Sequence, residues 1–273
     1  MVDKICLLKS VKDLIEIASE CYRLGWNERN GGNISYLLEE SELEPILKLK
    51  NKDERIISLE FNAKEISKKY FLVTGSGKYF KNIKKEPEVS LGIIQINDNG
   101  TGYKIVWGFK DNGIATSELS THLMSHIVRL KIDPNHRAIL HCHTPYLNAL
   151  SFTSRLNDRE ITKLLWRMIS ECVIVFPEGI GVIPWEVPGT ESIGKMTSQK
   201  MKDTRLVLWP HHGVFAAGVS MDEAFGLIET AEKAARIYTI AQEQGEIKQY
   251  ITDEQLSKII KVYNLKIRNE LFK

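Results

Sequence analysis

Residues 91–107 read LGIIQINDNGTGYKIVW, two apolar runs on either side of Asn97-Asp98-Asn99-Gly100. Asn, Asp and Gly tolerate the backbone of a tight reversal, so the stretch predicts an antiparallel hairpin with strands over 91–96 and 103–107. Upstream, residues 70–74 form a short apolar strand that runs into Gly75-Ser76-Gly77-Lys78. Downstream the period becomes helical over 118–130, with Leu119, Leu123, Met124, Ile127 and Leu130 on the apolar side. Residues 137–143 read as another strand, ended by Thr144-Pro145. A mixed helical region leads to the apolar run 172–176, and strands over 206–209 and 214–217 enclose Pro210-His211-His212-Gly213.

The ends are helical. Ser10 with Asp13 resembles a capping box, and Val11, Leu14, Ile15, Ala18 and Tyr22 share one face up to a stop at Gly25. Asn30-Gly31-Gly32-Asn33 follows as a tight turn. Ser220 and Glu223 cap a long helix reaching about residue 244, and Thr252 opens a last one. Residues 39–69 are charged and predict an irregular excursion with weak strands. Hairpins alternating with amphipathic helices predict one α+β domain over 1–273, its largely antiparallel sheet covered by helices. The excursion at about 39–69 and a helical tail at about 246–273 are its additions.

Composition narrows the function. The chain is 43% apolar and 26% charged with a net charge of +2, so no strong field points to nucleic acid or a membrane surface. The Lys-rich stretch 48–85 is interleaved with Glu and Asp and reads as a solvated surface. The four cysteines, Cys6, Cys21, Cys142 and Cys172, make no C-x-x-C pair, which suits a reducing compartment. Charges throughout residues 1–17 leave no apolar signal core, and no run approaches the ~18 apolar residues of a membrane span. The expectation is a cytoplasmic protein.

There are seven histidines, yet two stand as His141-Cys142-His143. On a strand, positions i and i+2 face one side, so both imidazoles can converge on a zinc ion while Cys142 points into the opposite layer. A catalytic zinc takes three protein ligands and keeps one position open. His212, in a strand-to-strand turn, is the best-placed third ligand, with His211 its rival. Ordinary sheet histidines would show the same spacing. His122 and His126, four apart on a helix, are a competing pair, with Glu118 one turn before them. Spacing alone does not choose.

Three segments offer uncharged donors to an anion: Asn30-Gly31-Gly32-Asn33, Thr74-Gly75-Ser76-Gly77 and Thr116-Ser117. The second is no Walker A loop, since Leu72 and Tyr79 stand where that motif needs Gly and Ser or Thr. Each is also readable as a plain turn or helix start.

Five segments in order are Gly25-Trp26-Asn27-Glu28-Arg29-Asn30-Gly31-Gly32-Asn33, Val73-Thr74-Gly75-Ser76-Gly77-Lys78, Thr116-Ser117-Glu118-Leu119, His141-Cys142-His143 and Trp209-Pro210-His211-His212-Gly213. Together they resemble the class II aldolases, the family of fuculose-phosphate and rhamnulose-phosphate aldolases, from Gly25 to about Gln244. The Gly-Trp-x-Glu-Arg opening, the charged excursion and the length resemble the rhamnulose-phosphate branch. The resemblance implies a three-layer α/β/α sandwich and a homotetramer with active sites between subunits. It implies one zinc ion per subunit on His141, His143 and His212. Glu118 is implied as the catalytic acid–base, with Glu171 as a second acid supplied across the interface. Asn30, Gly31, Asn33, Ser76, Gly77, Thr116 and Ser117 are implied around a sugar-phosphate substrate, cleaved to dihydroxyacetone phosphate and an aldehyde. His122 and His126 fall outside the family's ligand pattern and are expected to pack. Epimerases that share the zinc site are the alternative activity. Adducin-type head domains share the fold but lack the zinc histidines.

Overall fold

The computed structural model describes residues 3–49, 55–153 and 157–272. Part of the charged excursion, residues 50–54, lies outside the described residues, as do the outermost residues at both ends of 1–273.

Nine described strands build one sheet: β1 (Asn33–Leu37), β2 (Ile56–Ser58), β3 (Tyr70–Thr74), β4 (Leu91–Ile96), β5 (Gly102–Gly108), β6 (Ala138–Cys142), β7 (Ile180–Val182), β8 (Leu206–Trp209) and β9 (Gly213–Gly218). Their order is β2-β5-β4-β3-β1-β6-β9-β8-β7. Every pairing is antiparallel except β7 with β8. The β4–β5 hairpin stands where the 91–107 pattern places it, with a register shift at Ile93/Ile94 that bends it. β1 and β6 meet in mid-sheet, with Asn33 opposite His141 and Ser35 opposite Ile139.

The period of two sorts side chains between two helical layers. On β6, Ala138, Leu140 and Cys142 enter the larger core, formed with the helices Lys9–Arg23, Pro145–Thr153 and Met221–Glu243. Ile139 faces the other way, into a core with Ile193 and Met201 by the helix Glu191–Lys200. Beside it, Leu119 and Leu123 of the helix Leu119–Ile132 pack on Phe71, Val73, Ile94 and Ile105. Helices thus cover both faces, the three layers that the resemblance implied.

Some local readings need correcting. The first helix has Leu8 at its N-cap with no side-chain bond. Ser10 is buried at the second helical position, its N–H donating to Glu42 at 3.0 Å, and Asp13 pairs with Lys9 instead. Tyr22 stays 45% exposed. The run 172–176 falls mostly in the short helix Ser170–Val175, and the edge strand β7 follows it. The excursion holds two 3-10 turns, the short helix Leu43–Leu47 and the three-residue β2. Thr252 makes its full capping box with Gln255, whereas Glu223 reaches the Val219 N–H while Ser220 caps. No helix among the described residues is long and apolar enough to cross a membrane.

Candidate active site

Sheet chemistry puts polar side chains on one face where β1 and β6 meet. Asn33 and Ser35 project from β1 with His141 beside them on β6, because i and i+2 positions share a face. His141 is fully buried, stacked on Phe215 with ring centroids 4.4 Å apart and flanked by Trp209. His143 lies just past the end of β6, where its N–H donates to the Trp26 carbonyl at 3.0 Å. His212 arrives from the β8–β9 turn. There Pro210 and His211 occupy the central positions, and His212 N–H closes the turn on the Trp209 carbonyl at 3.1 Å. His211 takes a φ of 61°, which is the left-handed geometry such a turn asks of its third residue. Its exposed ring lies against Phe152, away from the cluster. The turn itself therefore separates the two adjacent histidines.

His141, His143 and His212 form a group whose ligand atoms all lie within 4.8 Å of one another. Hydrogen bonds fix which nitrogens are free. His141 Nδ1 is 3.0 Å from the Val214 carbonyl, which only accepts, so the proton sits on Nδ1 and Nε2 keeps its lone pair. That buried Nε2 has no protein partner. His143 Nδ1 likewise faces the Glu28 carboxylate at 3.2 Å. The Nε2 atoms of His143 and His212 are 3.1 Å apart. Two nitrogens each ~2.0–2.1 Å from one tetrahedral zinc would be about 3.3–3.4 Å apart, so the spacing fits a shared cation. Burial holds the His141 ring well below the usual histidine range and brings His212 down to about 4, with His143 adding to the effect. The His141 and His212 rings are therefore neutral, the form that binds metal.

Glu118 stands at the N-terminus of the Leu119–Ile132 helix, only 6% exposed, with Oε2 3.6 Å from His141 Nε2. Burial pushes its carboxyl up to about 7, and the Asn33 amide, donating at 2.8 Å, draws it part of the way back. A carboxyl poised near neutrality can both take and return a proton.

Above these groups is a cleft of about 190 Å³ lined by Asn30, Gly31, Gly32, Asn33, Gly75, Ser76, Gly77, Thr116, Ser117, Glu118, His143 and His212. Gly31 is needed because a Cβ there would come within 2.7 Å of His143 Nδ1. Gly32 takes a φ of +72°, and a Cβ there would strike the Asn27 amide. The amides of Gly31 and Ser76 are spent on the Glu28 and Ile114 carbonyls. The exposed Asn30, Ser76 and Ser117 side chains add uncharged donors to the lining. Lys78 pairs with Asp111 outside the cleft lining.

All the expected metal and anion residues, with Glu118, therefore meet in one place. Glu171 does not. It is exposed on the Ser170–Val175 helix, which packs against the Met221–Glu243 and Asp253–Val262 helices. The roles of three residues went unread in the sequence. Glu28 orients His143, and its only signal is its place beside the Asn30 turn. Ser35 and His122 join a buried polar chain behind Asn33, detectable only by combining the i, i+2 period of β1 with the i, i+4 period of the helix.

Comparison with known proteins agrees with this arrangement. Residues 12–239 match the family described as Class II Aldolase and Adducin N-terminal domain. The chain is 55% identical over 249 residues to rhamnulose-1-phosphate aldolase of Listeria monocytogenes serotype 4b (strain F2365), covering 91% of each chain. It is 48% identical over 255 residues to rhamnulose-1-phosphate aldolase of Enterococcus faecalis, covering 93% of this chain and 91% of that one. Among solved structures, a sugar-phosphate aldolase from Thermotoga maritima superposes with a TM-score of 0.72 at 29% identity, covering 86% of this chain and 97% of that one.

Proposed function

The chain belongs to the class II aldolase and adducin N-terminal domain family, and from that premise we propose that it reversibly cleaves L-rhamnulose 1-phosphate to dihydroxyacetone phosphate and L-lactaldehyde. It is a class II aldolase, a lyase. The further reading is a zinc enzyme of rhamnose catabolism, cytoplasmic and homotetrameric, with one ion per subunit. One observation carries the metal-dependent aldolase reading: three imidazole nitrogens converge beside a buried carboxylate, beneath a cleft of uncharged donors. The curated relatives support the substrate by their names.

His141, His143 and His212 would hold the zinc, which when bound acts as a Lewis acid on the ketose oxygens and offsets the negative charge that cleavage leaves on the three-carbon fragment. Asn30, Ser76, Thr116 and Ser117 would grip the phosphate, with Gly31 and Gly77 giving close approach, so that remote binding orients the reacting carbons. In cleavage, the C4 hydroxyl gives up its proton to Glu171 of a neighbouring subunit. The C3–C4 electron pair stays with the dihydroxyacetone phosphate half, and Glu118 delivers a proton to C3. In synthesis Glu118 removes that proton again. Asn33 holds one Glu118 oxygen, leaving the other to face the substrate.

Selectivity arises in the aldehyde half, since rhamnulose and fuculose 1-phosphates share the end carrying phosphate and ketone. Hydrogen-bonding a hydroxyl lets a site reject the wrong configuration, because buried polar groups are left unpaired. The zinc-loaded protein should prefer L-rhamnulose 1-phosphate by on the order of 10²-fold in kcat/KM. A preference for fuculose 1-phosphate would sink the substrate assignment but leave an aldolase. Interconversion of pentulose phosphates without free dihydroxyacetone phosphate would indicate a 4-epimerase.

On this reading Glu171 acts from a neighbouring subunit, so activity depends on assembly. Light scattering of the active protein should report a tetramer; a fully active monomer refutes both the assembly and the shared acid. Glu171→Gln should slow cleavage yet leave deuterium exchange into dihydroxyacetone phosphate intact, because exchange needs only Glu118 and the ion.

A further inference from the structure

Behind Glu118 a line of buried polar groups starts at Asn33, on the cleft lining, and runs inward to Ser35, His122 and His126. Asn33 Nδ2 is 2.8 Å from Glu118 Oε2, and Asn33 Oδ1 is hydrogen-bonded to His122 Nε2. His122 Nδ1 is 2.7 Å from Ser35 Oγ, which is in turn 2.9 Å from His126 Nε2. His122, His126 and Ser35 are fully buried, and His126 Nδ1 has no partner. Burial keeps both rings neutral, His126 near 3 and His122 well below the usual range, with the neighbouring His126 adding to the shift.

The carboxylate at one end fixes every proton in the line. Ionised Glu118 only accepts, so Asn33 must turn its NH2 towards it and its carbonyl towards His122. A carbonyl only accepts, so His122 carries its proton on Nε2 and has a bare Nδ1. That nitrogen takes the single Ser35 hydroxyl proton. Ser35 Oγ then accepts from His126 Nε2–H, and His126 Nδ1 is left bare, as its lack of a partner requires. All four bonds donate in the direction of Glu118.

We propose that His122 is a positioning residue for Glu118, acting through Asn33, with Ser35 and His126 fixing the tautomer that lets it do so. Without the His122 N–H, the Asn33 amide loses the anchor that keeps its NH2 on the carboxylate. Glu118 then swings, and misplacing a reacting group by about 1 Å costs up to ~10²-fold in rate. The inference rests on Glu118 being the acid–base group.

Two measurements on the zinc-loaded, full-length protein test it. Solid-state 15N spectra of histidine-labelled protein should show His122 and His126 neutral with unprotonated Nδ1; an Nδ1–H tautomer on His122 overturns the proposal. Ser35→Ala and His122→Leu should lower kcat and the deuterium-exchange rate by about 10–100-fold, with KM and zinc content unchanged. His122→Gln, whose amide N–H can still reach Asn33 Oδ1, should restore most of that loss. If His122→Leu does not fold, Ser35→Ala, which removes a single oxygen, carries the kinetic test. Wild-type rates in Ser35→Ala and His122→Leu, with Glu118→Gln impaired, defeat the positioning role alone. Wild-type exchange in Glu118→Gln instead defeats the base assignment and the proposal with it.

Discussion

Alanine at His141, His143 or His212 should abolish stoichiometric zinc and, with it, aldolase activity. Removing one imidazole leaves two protein ligands, below the three a catalytic zinc requires. A Lewis-acid cation contributes several kcal/mol to the barrier, so the loss should be on the order of 10³-fold or more. His143→Ala is the cleanest variant, because His143 is half-buried at a strand end whereas His141 is enclosed by Phe215 and Trp209. His122→Ala and His211→Ala should keep their zinc. Both His122 nitrogens are engaged by Asn33 and Ser35, and His211 faces Phe152. Elemental analysis of the five proteins decides the matter. Zinc retained in His143→Ala but lost from His122→Ala would reverse the assignment.

Glu118→Gln should fold, bind zinc and still fail at proton transfer. The substitution keeps the side chain's shape but removes the basic oxygen, so cleavage and deuterium exchange into dihydroxyacetone phosphate should fall together by roughly 10²–10⁴-fold. An amide in this place still offers its carbonyl oxygen to the Asn33 NH2, so the contact that orients the side chain is kept. The parallel fall in exchange, which needs no aldehyde, identifies the missing proton acceptor. Exchange at the wild-type rate would make another group the base.

Strands at 70–74, 91–96, 103–107 and 206–209 were legible from apolar runs ended by turn residues, whereas β1 was not, its first residue reading as part of the turn Asn30-Gly31-Gly32-Asn33. Edge strand β7 was not, because Ile180-Gly181-Val182 is three residues long and carries too little pattern. The capping reading at Ser10 failed because tertiary contact with Glu42 claimed its amide first. In the site, spacing alone leaves His122/His126 close behind His141/His143, and His211 a rival to the better-placed His212. Family likeness favours one set. The reason lies in backbone geometry: a left-handed residue at 211 turns one ring out and the next in. Reading His122 and His126 as packing residues captures their burial but not their hydrogen bonds, which depend on a strand far away in sequence.

The pairing of β1 with β6 in mid-sheet also bears on how the enzyme is made. Sixty-nine residues separate His143 from His212, and 85 separate Asn33 from Glu118. No short stretch of nascent chain can collect the ion, unlike a zinc finger, whose ligands lie close together and whose fold depends on metal. The ligands come together only after β9 has been synthesised and has settled against β6, a late and non-local event. The cores that hold the sheet are apolar on both faces and owe nothing to the cation. On the proposed zinc reading, the ion would be acquired by a finished scaffold, and a cell short of zinc would accumulate folded, idle protein ready to work as soon as the ion arrives.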